Sequence, residues 1–317
     1  MSNVNGLTAF KRFRRLLKLD NKEITHVYVY ALFNGLVNLS LPLGIQAIIN
    51  LIQGGEMSTS WMIMVGIVIL GITLTGFFQY MQLRIVENIS QKIFARSSFE
   101  FAYRFPKINY RALYNYYAPE LANRFFDTLT IQKSLPKILI DFSLAAFQII
   151  VGLFVLSLYH SFFVFFAILL LILVFFLINY IGPMGMKTNL KESKYKYDVA
   201  HWLEEVARTK VTFKLVPDST INLENTDSKV VNYINARESH FRVLVHQFFW
   251  LILFKVIIAA ALLIIGGILV FRQEMNIGQF VAAEIIILLV LASIEKIITS
   301  LEGIYDMLTA LEKIGYV

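Results

Sequence analysis

The chain has 317 residues, of which 57% are hydrophobic and only 16% are charged. Soluble domains are about half apolar and about a quarter charged, so this composition predicts a membrane protein. The absence of cysteine excludes disulfides, cysteine-ligated metals and a cysteine nucleophile within the chain. A net charge of +7 would suit a nucleic-acid partner, but the basic residues lie beside apolar stretches, and we therefore expect no nucleic acid.

Residues 1–22 form the first predicted element, an amphipathic helix that enters the first apolar stretch. Its apolar residues recur at mainly helical spacing among basic ones: Leu7, Phe10, Phe13, Leu16 and Leu17. A basic amphipathic helix of this kind lies along a membrane surface. The alternative is an ordinary solvated charge run, which would leave Phe10 and Phe13 exposed beside the bilayer.

Residues 23–317 contain six apolar stretches that meet or approach the roughly 20 residues needed to cross a bilayer. They are residues 24–52, 61–81, 138–159, 161–181, 248–270 and 277–298. The predicted fold class is therefore an all-α membrane protein with six transmembrane helices.

Lysine and arginine are distributed unequally between the two sides of these spans. Six lie in the N-terminal arm, nine between the second and third spans, and eleven between the fourth and fifth, whereas the other three connections carry only Arg272. Cytoplasmic loops carry the excess of Lys and Arg, so both termini are expected in the cytoplasm.

Long helical extensions are expected on the cytoplasmic side. Residues 61–104 contain no proline, and a continuous helix of that length would run about 66 Å at 1.5 Å per residue, about twice the ~30 Å hydrocarbon core. Pro106 and Pro119 interrupt the next stretch. A second long stretch bends at residues 182–185 and breaks at residues 216–222. The predicted plan is two long helical hairpins, each tipped by a short element outside the membrane.

This topology, together with four local patterns, resembles the transmembrane domain of ABC exporters of the type I fold over essentially the whole chain. PELANRFFDT and WLEEVARTKVTFKL resemble the two coupling regions of the family, MNIGQFVAAE resembles the entry into the sixth span, and SLEGIYDMLTALEKIGYV resembles the exit helix. Each pattern alone is weakly specific, but their order and spacing together are more specific. The resemblance implies an N-terminal elbow helix, two coupling helices and a place in a bacterial inner (plasma) membrane.

The chain contains neither a G-x-x-x-x-G-K-[ST] phosphate loop nor an LSGGQ-like signature, so we expect no enzymatic activity and no cofactor in the chain itself. By the resemblance, ATP and Mg would be bound by an associated nucleotide-binding domain. That domain is expected either downstream in a longer half-transporter or on a separate polypeptide. The first is favoured because SLEGIYDMLTALEKIGYV looks like a linker cut short.

The resemblance implies a dimer, formed with a second copy or a homologous half-transporter, that encloses a pathway for an unknown exported substrate. ATP-driven closure of the nucleotide-binding domains would push on the coupling elements and rock the long helices. The coupling candidates are Asn123, Arg124, Phe125, Phe126 and Asp127 at the first tip, and Ala207, Arg208, Thr209, Lys210, Val211, Thr212 and Phe213 at the second. The alternative is that these residues form solvated loops whose charges have no specific role. For Arg124 and Phe125 we favour docking, because arginine and aromatic residues are enriched in interface cores.

Polar residues within the spans are candidates for the substrate pathway: Asn34, Asn38, Gln46, Gln79 and Glu284. Intramembrane polar residues usually face a bundle interior or a cavity. Hydrogen bonds between helices would explain the amides equally well. Glu284, in the sixth span, is either a cation-recognition or protonatable position, or a buried hydrogen-bonded acid near the outer interface.

Catalytic and metal-binding functions are not indicated, since the five histidines fall in no metal-ligand pattern. The alternative function is an ATP-independent secondary transporter, channel or membrane scaffold. Secondary carriers often have internal repeats and helices broken near the midplane. No repeat is visible here, and the breaks expected at Pro42 and at residues 182–185 lie near span ends, which favours the exporter.

Overall fold

A computed structural model describes residues 6–55, 59–109, 118–215 and 220–315, and every regular element in these ranges is helical. The helices are α1 (Gly6–Lys18), α2 (Asn21–Asn38), α3 (Ser40–Gln53), α4 (Thr59–Arg104), α5 (Ala118–Asn123), α6 (Asp127–Pro136), α7 (Ser143–Ser157), α8 (Ser161–Arg208), α9 (Lys210–Leu215), α10 (Ile221–Phe271) and α11 (Ile277–Ile314). Short 3₁₀ turns occupy Phe105–Lys107 and Arg124–Phe126, and a π-helical segment, Lys137–Phe142, joins α6 to α7. The all-α prediction is confirmed for the described residues.

Five helical stretches of the described chain are long and apolar enough to cross a membrane. They are Asn21–Gln53, Thr59–Lys107, Leu121–Ser157, Ile221–Phe271 and Ile277–Ile314, and each contains all or most of one predicted span. The remaining predicted span, residues 161–181, lies within α8, where the described apolar stretch is Ser161–Ile172. The sixth crossing therefore stays a prediction.

Three helices are much longer than a bilayer requires. Helices α4, α8 and α10 contain 46, 48 and 51 residues, and at 1.5 Å per residue each runs about 70 Å. The predicted continuous helix over residues 61–104 is confirmed. It ends at Arg104, where the turn containing Pro106 begins, because proline lacks the N–H that a continuing helix needs.

The first span is interrupted at Leu39, between α2 and α3. Pro42 has no N–H and cannot bond the carbonyl of Asn38, the residue that ends α2. The Leu39 N–H donates to the carbonyl of Leu36 at 3.2 Å, which is the tighter pattern of a turn. Our expectation that the Pro42 break lies near the end of its span is wrong, because the break lies near the middle. The position of this break therefore no longer favours an exporter over a secondary carrier, since carriers often have helices broken near the midplane.

Two clusters of buried apolar side chains hold the helices together. The first joins α7, α8, α10 and α11 through residues such as Leu153, Phe163, Leu251 and Ile287. The second joins α2, α4, α6 and α11 through Val27, Val86, Leu135 and Met307. Helix α11 contributes to both clusters, and it is therefore the central helix of the described structure.

The apolar face of α1 packs on protein. Phe13, Leu16 and Leu17 contact the second cluster, and Arg12 Nη1 donates to the Glu312 carbonyl at 2.9 Å. The expected helix is present, and these three partly buried side chains pack on the end of α11. Its position along a membrane surface stays a prediction. The side chains of Leu7 and Phe10 lie outside the described side chains.

Candidate functional site

The first predicted tip consists of α5, the turn Arg124–Phe126 and the start of α6, and residues 110–117 before it lie outside the described residues. The Phe125 ring packs edge-on against Phe94 and Phe101 of α4, with ring centroids 5.4 and 5.6 Å apart. The Phe126 side chain is 60% exposed. Of the two aromatic candidates, Phe126 has an exposed ring, whereas the ring of Phe125 packs within the structure.

The second tip is the short helix α9 and the end of α8. Its candidate residues, Ala207, Arg208, Thr209, Lys210, Val211, Thr212 and Phe213, span this junction. Helix α8 stops at Thr209, whose hydroxyl donates to the Glu205 carbonyl at 2.6 Å. Val211 and Leu215 of α9 are exposed apolar residues. Exposed apolar side chains on a short surface helix are typical of a docking surface.

A side-chain hydrogen bond connects the two tips. The Asn123 amide donates to the Glu204 carboxylate, four residues before the end of α8. A hydrogen bond between the tips restrains their relative movement, because separating them would leave both groups to find new partners.

A cluster of polar side chains lies behind the tips, where α6, α8 and α11 meet. We call it the polar joint, and its members are Asp127, Asn189, Ser193, Tyr197, Asp306 and Lys313. Sequence analysis placed Asp127 at the exposed tip, but its side chain is 95% buried, with 5% exposed, and it lines a cavity of about 50 Å³. It faces α8 and α11 because α6 turns it inward at the first residue of the helix.

Hydrogen bonds cross the polar joint between α8 and α11. Asn189 Nδ2 donates to Asp306 Oδ1, and the Thr309 hydroxyl donates to Asn189 Oδ1, both at 2.8 Å. Lys313 Nζ donates to the Ser193 hydroxyl at 2.5 Å and to the Ser193 carbonyl at 3.2 Å, and it lies 3.5 Å from the centroid of the Tyr197 ring. Side-chain hydrogen bonds thus join α8 to α11 over two helical turns.

The polar joint lies outside the predicted spans, since Asp127 precedes residue 138 and Lys313 follows residue 298. Burial raises the pKa of the Asp127 carboxyl, which is opposed by a hydrogen bond from Tyr197 and by the nearby positive charge of Lys313. Burial lowers the pKa of Lys313 to about 7. Both shifts disfavour the charged form, as expected for groups removed from water.

Sequence analysis missed the α8 and α11 members of this cluster. A signal was present: Asn189, Ser193 and Tyr197 are spaced four apart, so they share one face of α8. Asp306, Thr309 and Lys313 likewise share one face of α11. Two polar stripes on helices of an apolar protein indicate that the stripes face each other or face water.

An ion-pair cluster ties the start of α2 to α4. Both carboxylate oxygens of Asp20 accept from Arg96, each at 2.7 Å, and the Asp20 side chain is 3% exposed. Lys92 Nζ pairs with Glu23 at 2.6 Å. This bidentate geometry is the strong form of an Arg–carboxylate contact.

The pathway candidates lie on α2, α3, α4 and α11. Asn34 is fully buried, and neither of its amide atoms has a hydrogen-bond partner in the described structure. Asn38 is half-buried, and Gln46 Oε1 accepts from the Tyr159 hydroxyl at 2.5 Å. Gln79 is exposed and Glu284 is half-buried. Their role in a substrate pathway stays a prediction.

Within the described ranges, no group of three or more His, Asp and Glu side chains is placed to hold a metal ion.

Comparison with known protein families identifies the family of this chain. A family model described as the ABC transporter transmembrane region matches residues 25–294, a range that begins in the first predicted span and ends in the sixth. No curated protein sequence matches the chain. The match covers well over half of the chain and includes both predicted tips.

Proposed function

Because the chain belongs to the ABC transporter transmembrane region family, we propose that it is the translocation domain of an ATP-driven exporter. It works as a dimer with a second copy or a homologous half-transporter, and the pair encloses the pathway of the exported substrate. The observation that carries this proposal is the pair of tips. They lie at the ends of helices that are much longer than a bilayer is thick, and each tip has at least one exposed apolar side chain.

The tips are the contact points for the nucleotide-binding domain, which supplies the ATP and Mg sites on a downstream segment or a separate polypeptide. The chain itself performs no hydrolysis, since it carries neither a phosphate loop nor a signature motif. The concentration of Lys and Arg on the side of the tips supports an orientation with the tips and both termini in the cytoplasm. The family resemblance suggests a bacterial inner membrane.

A force applied at the tips reaches the spans because the helices behind the tips are packed as one body. The second apolar cluster joins α4 and α6 to α11, and the polar joint bonds α8 to the same helix. Packed interiors are stiff, so closure of the nucleotide-binding domains would move these helices together and switch the spans between inward-facing and outward-facing arrangements.

Spin labels at the first tip test the proposal. The chain has no cysteine, so Ala122→Cys, at an exposed residue of α5 that is not a docking candidate, gives this chain a single labelling site, and the distance measured in the complete transporter is the one between the two copies. We expect the complete transporter, purified with its ATPase in lipid nanodiscs, to shift this distance by several ångströms when Mg-ATP and vanadate are added. An unchanged distance in a preparation that hydrolyses ATP would contradict the proposal.

An ATP-independent secondary carrier is the second candidate, favoured by the break at Leu39 near the middle of the first span. The same labelled protein separates the two functions. A carrier would shift the distance in response to an ion gradient or substrate and not in response to Mg-ATP.

The exposed ring of Phe126 gives a second prediction. We expect Phe126→Ser to weaken the coupling between ATP binding and tip movement about ten-fold, because loss of an aromatic anchor from an interface costs about 1–2 kcal/mol. The readout is the fraction of transporters labelled at Ala122→Cys whose label-to-label distance responds to Mg-ATP. Arg124 is a less specific probe, since its charge lies close enough to affect Asp127.

The matched control is Phe99→Ser, because the Phe99 side chain is 78% exposed and belongs to α4 rather than to either tip. This variant should respond as the wild type does. Equal loss in both variants would indicate a general effect of exposed aromatic residues and would reject docking at Phe126.

A further inference from the structure

One pair of helical segments lies outside both apolar clusters. It consists of α3 and residues 59–71 of α4, at the end of the spans opposite the tips, and we call it the distal pair. Among its described residues the buried ones are Pro42, Gly44, Val68 and Gly71. Neither cluster includes a residue of the pair. Segments with few buried apolar contacts are the ones that open most easily.

The two members of the distal pair pack closely against each other. A Cβ atom added to Gly44 would overlap the Val68 side chain, and one added to Gly71 would overlap the Ser40 hydroxyl. Such close approach is what small residues allow between transmembrane helices. The two segments should therefore move as one body.

Leu39 is the point about which the distal pair can turn. The helix of the first span is interrupted there, between α2 and α3, and α2 is anchored through Val27 in the second apolar cluster. Leu39 is itself buried in the first cluster, which fixes the pivot. On α4, Gly71 lies against Ser40 at the same level, and glycine is the residue most permissive of a bend. A break beside an anchored helix is a common form of hinge.

The distal pair meets α7 and α11 through polar groups. The Tyr159 hydroxyl, just after α7, donates to Gln46 Oε1 at 2.5 Å. The start of α11 approaches α3 so closely that a Cβ atom on Gly278 would overlap Asn50 Oδ1 and lie 3.0 Å from the Gln46 carbonyl oxygen. Water can replace polar contacts when two surfaces separate, so this interface opens at a lower cost than a buried apolar one.

We propose that the distal pair is the moving half of a gate, which swings about Leu39 and is latched shut by the hydrogen bond between Tyr159 and Gln46. The fixed half is the first apolar cluster, which joins α7, α8, α10 and α11 into one block. In the open state the bond is broken and water enters between α3 and α11. The gate rests on the proposed transport function, for which it is the exit of the pathway at the end opposite the tips.

Two adjacent alanines of α11 provide a reporter and its control, since the chain has no cysteine of its own. Ala282 lies one helical turn after Gly278, on the face that meets α3. It is fully buried but belongs to neither apolar cluster, whereas Ala283 is buried in the first cluster. A water-soluble maleimide should therefore reach Ala282→Cys through the open gate and should not reach Ala283→Cys.

The rate of maleimide labelling of the full chain in lipid nanodiscs tests the latch. Tyr159→Phe removes only the hydroxyl and should raise the rate at Ala282→Cys about five-fold, the usual net contribution of one hydrogen bond. Gln46→Leu should raise the rate similarly, and the double variant should add nothing, since both changes break the same bond. Tyr80→Phe, which removes the hydroxyl of an exposed side chain of α4, should leave the rate unchanged.

Three results would overturn the gate. An unchanged rate in Tyr159→Phe would mean that the bond does not hold the pair shut. An equal rise at Ala283→Cys would mean that the whole bundle loosens. Additive effects of Tyr159→Phe and Gln46→Leu would mean that the two side chains act separately.

The complete transporter separates this inference from the proposed function. Mg-ATP with vanadate should raise the labelling rate at Ala282→Cys and, in a separate sample, shift the tip distance measured at Ala122→Cys. A shifted tip distance with an unchanged labelling rate rejects the gate alone. An unchanged tip distance in a preparation that hydrolyses ATP rejects the proposed function.

Discussion

Replacing Arg96 by methionine is expected to lower the free energy of unfolding by about 2 kcal/mol. The variant keeps most of the side-chain length but leaves the carboxylate of Asp20 buried without its bidentate partner. Removing one partner of a buried ion pair costs about 3–5 kcal/mol. We expect less because the Arg96 side chain is 42% exposed, so water screens part of the interaction, and Lys92 Nζ remains 3.6 Å from Asp20.

Thermal and denaturant unfolding in detergent measure this effect, with Arg104→Met as the matched control. Arg104 pairs with Glu100 on the same helix, and both side chains are more than half exposed, so its loss should cost at most about 0.5 kcal/mol. The double variant Arg96→Met/Asp20→Asn should recover part of the stability, since it removes the unpaired charge as well. Equal destabilisation by Arg96→Met and Arg104→Met would contradict a buried ion pair.

Gly71→Leu is expected to prevent close packing of α3 against α4 and to reduce the yield of folded protein severely. A Cβ atom at Gly71 would overlap the Ser40 hydroxyl and lie 3.0 Å from the Ser40 Cβ. Small residues let transmembrane helices approach closely, and overpacking typically costs about 1–3 kcal/mol. The interface has no room for a Cβ atom at this position, and leucine adds three further carbon atoms beyond it.

Gly76→Leu is the matched control on the same helix. A Cβ atom at Gly76 would meet no heavy atom within 4 Å, so leucine there should be tolerated and should slightly stabilise the helix, because glycine costs about 0.5–1 kcal/mol in a helix interior. Size-exclusion chromatography of the detergent-solubilised variants and their melting temperatures provide the comparison. Similar behaviour of the two variants would show that the α3–α4 contact does not depend on Gly71.

The apolar pattern of the chain predicted the long helices well. The absence of proline over residues 61–104 was sufficient to predict α4, and Pro106 marked its end. These features are local: helix formation depends on neighbouring residues, and the length of an apolar stretch is read directly from the chain. The position of the break at Leu39 was predicted wrongly. Pro42 was recognised as the cause of a break, but its distance from the middle of the span was not considered.

The candidate site was predicted only in part. The two tips follow from chain order, since each lies between two long helices, but the environment of each side chain does not. Phe125, Phe126 and Asp127 are consecutive in sequence, yet the first packs against α4, the second is exposed and the third is buried in the polar joint. A helical turn points consecutive side chains in different directions, and only the neighbouring helices determine which of them meet protein.

The sequence by itself determined that this protein is an all-α membrane protein with long helical extensions, and its local patterns resembled the family to which the chain belongs. Periodicity, apolar length and charge distribution are properties of contiguous segments. Tertiary structure decided that α1 covers the end of α11 through Arg12 and Glu312, and that Asp127, Ser193 and Lys313 meet in one polar joint. Such contacts join residues far apart in the chain, and they form because each helix must cover its apolar face and pair its buried polar groups with whichever neighbours the packing supplies.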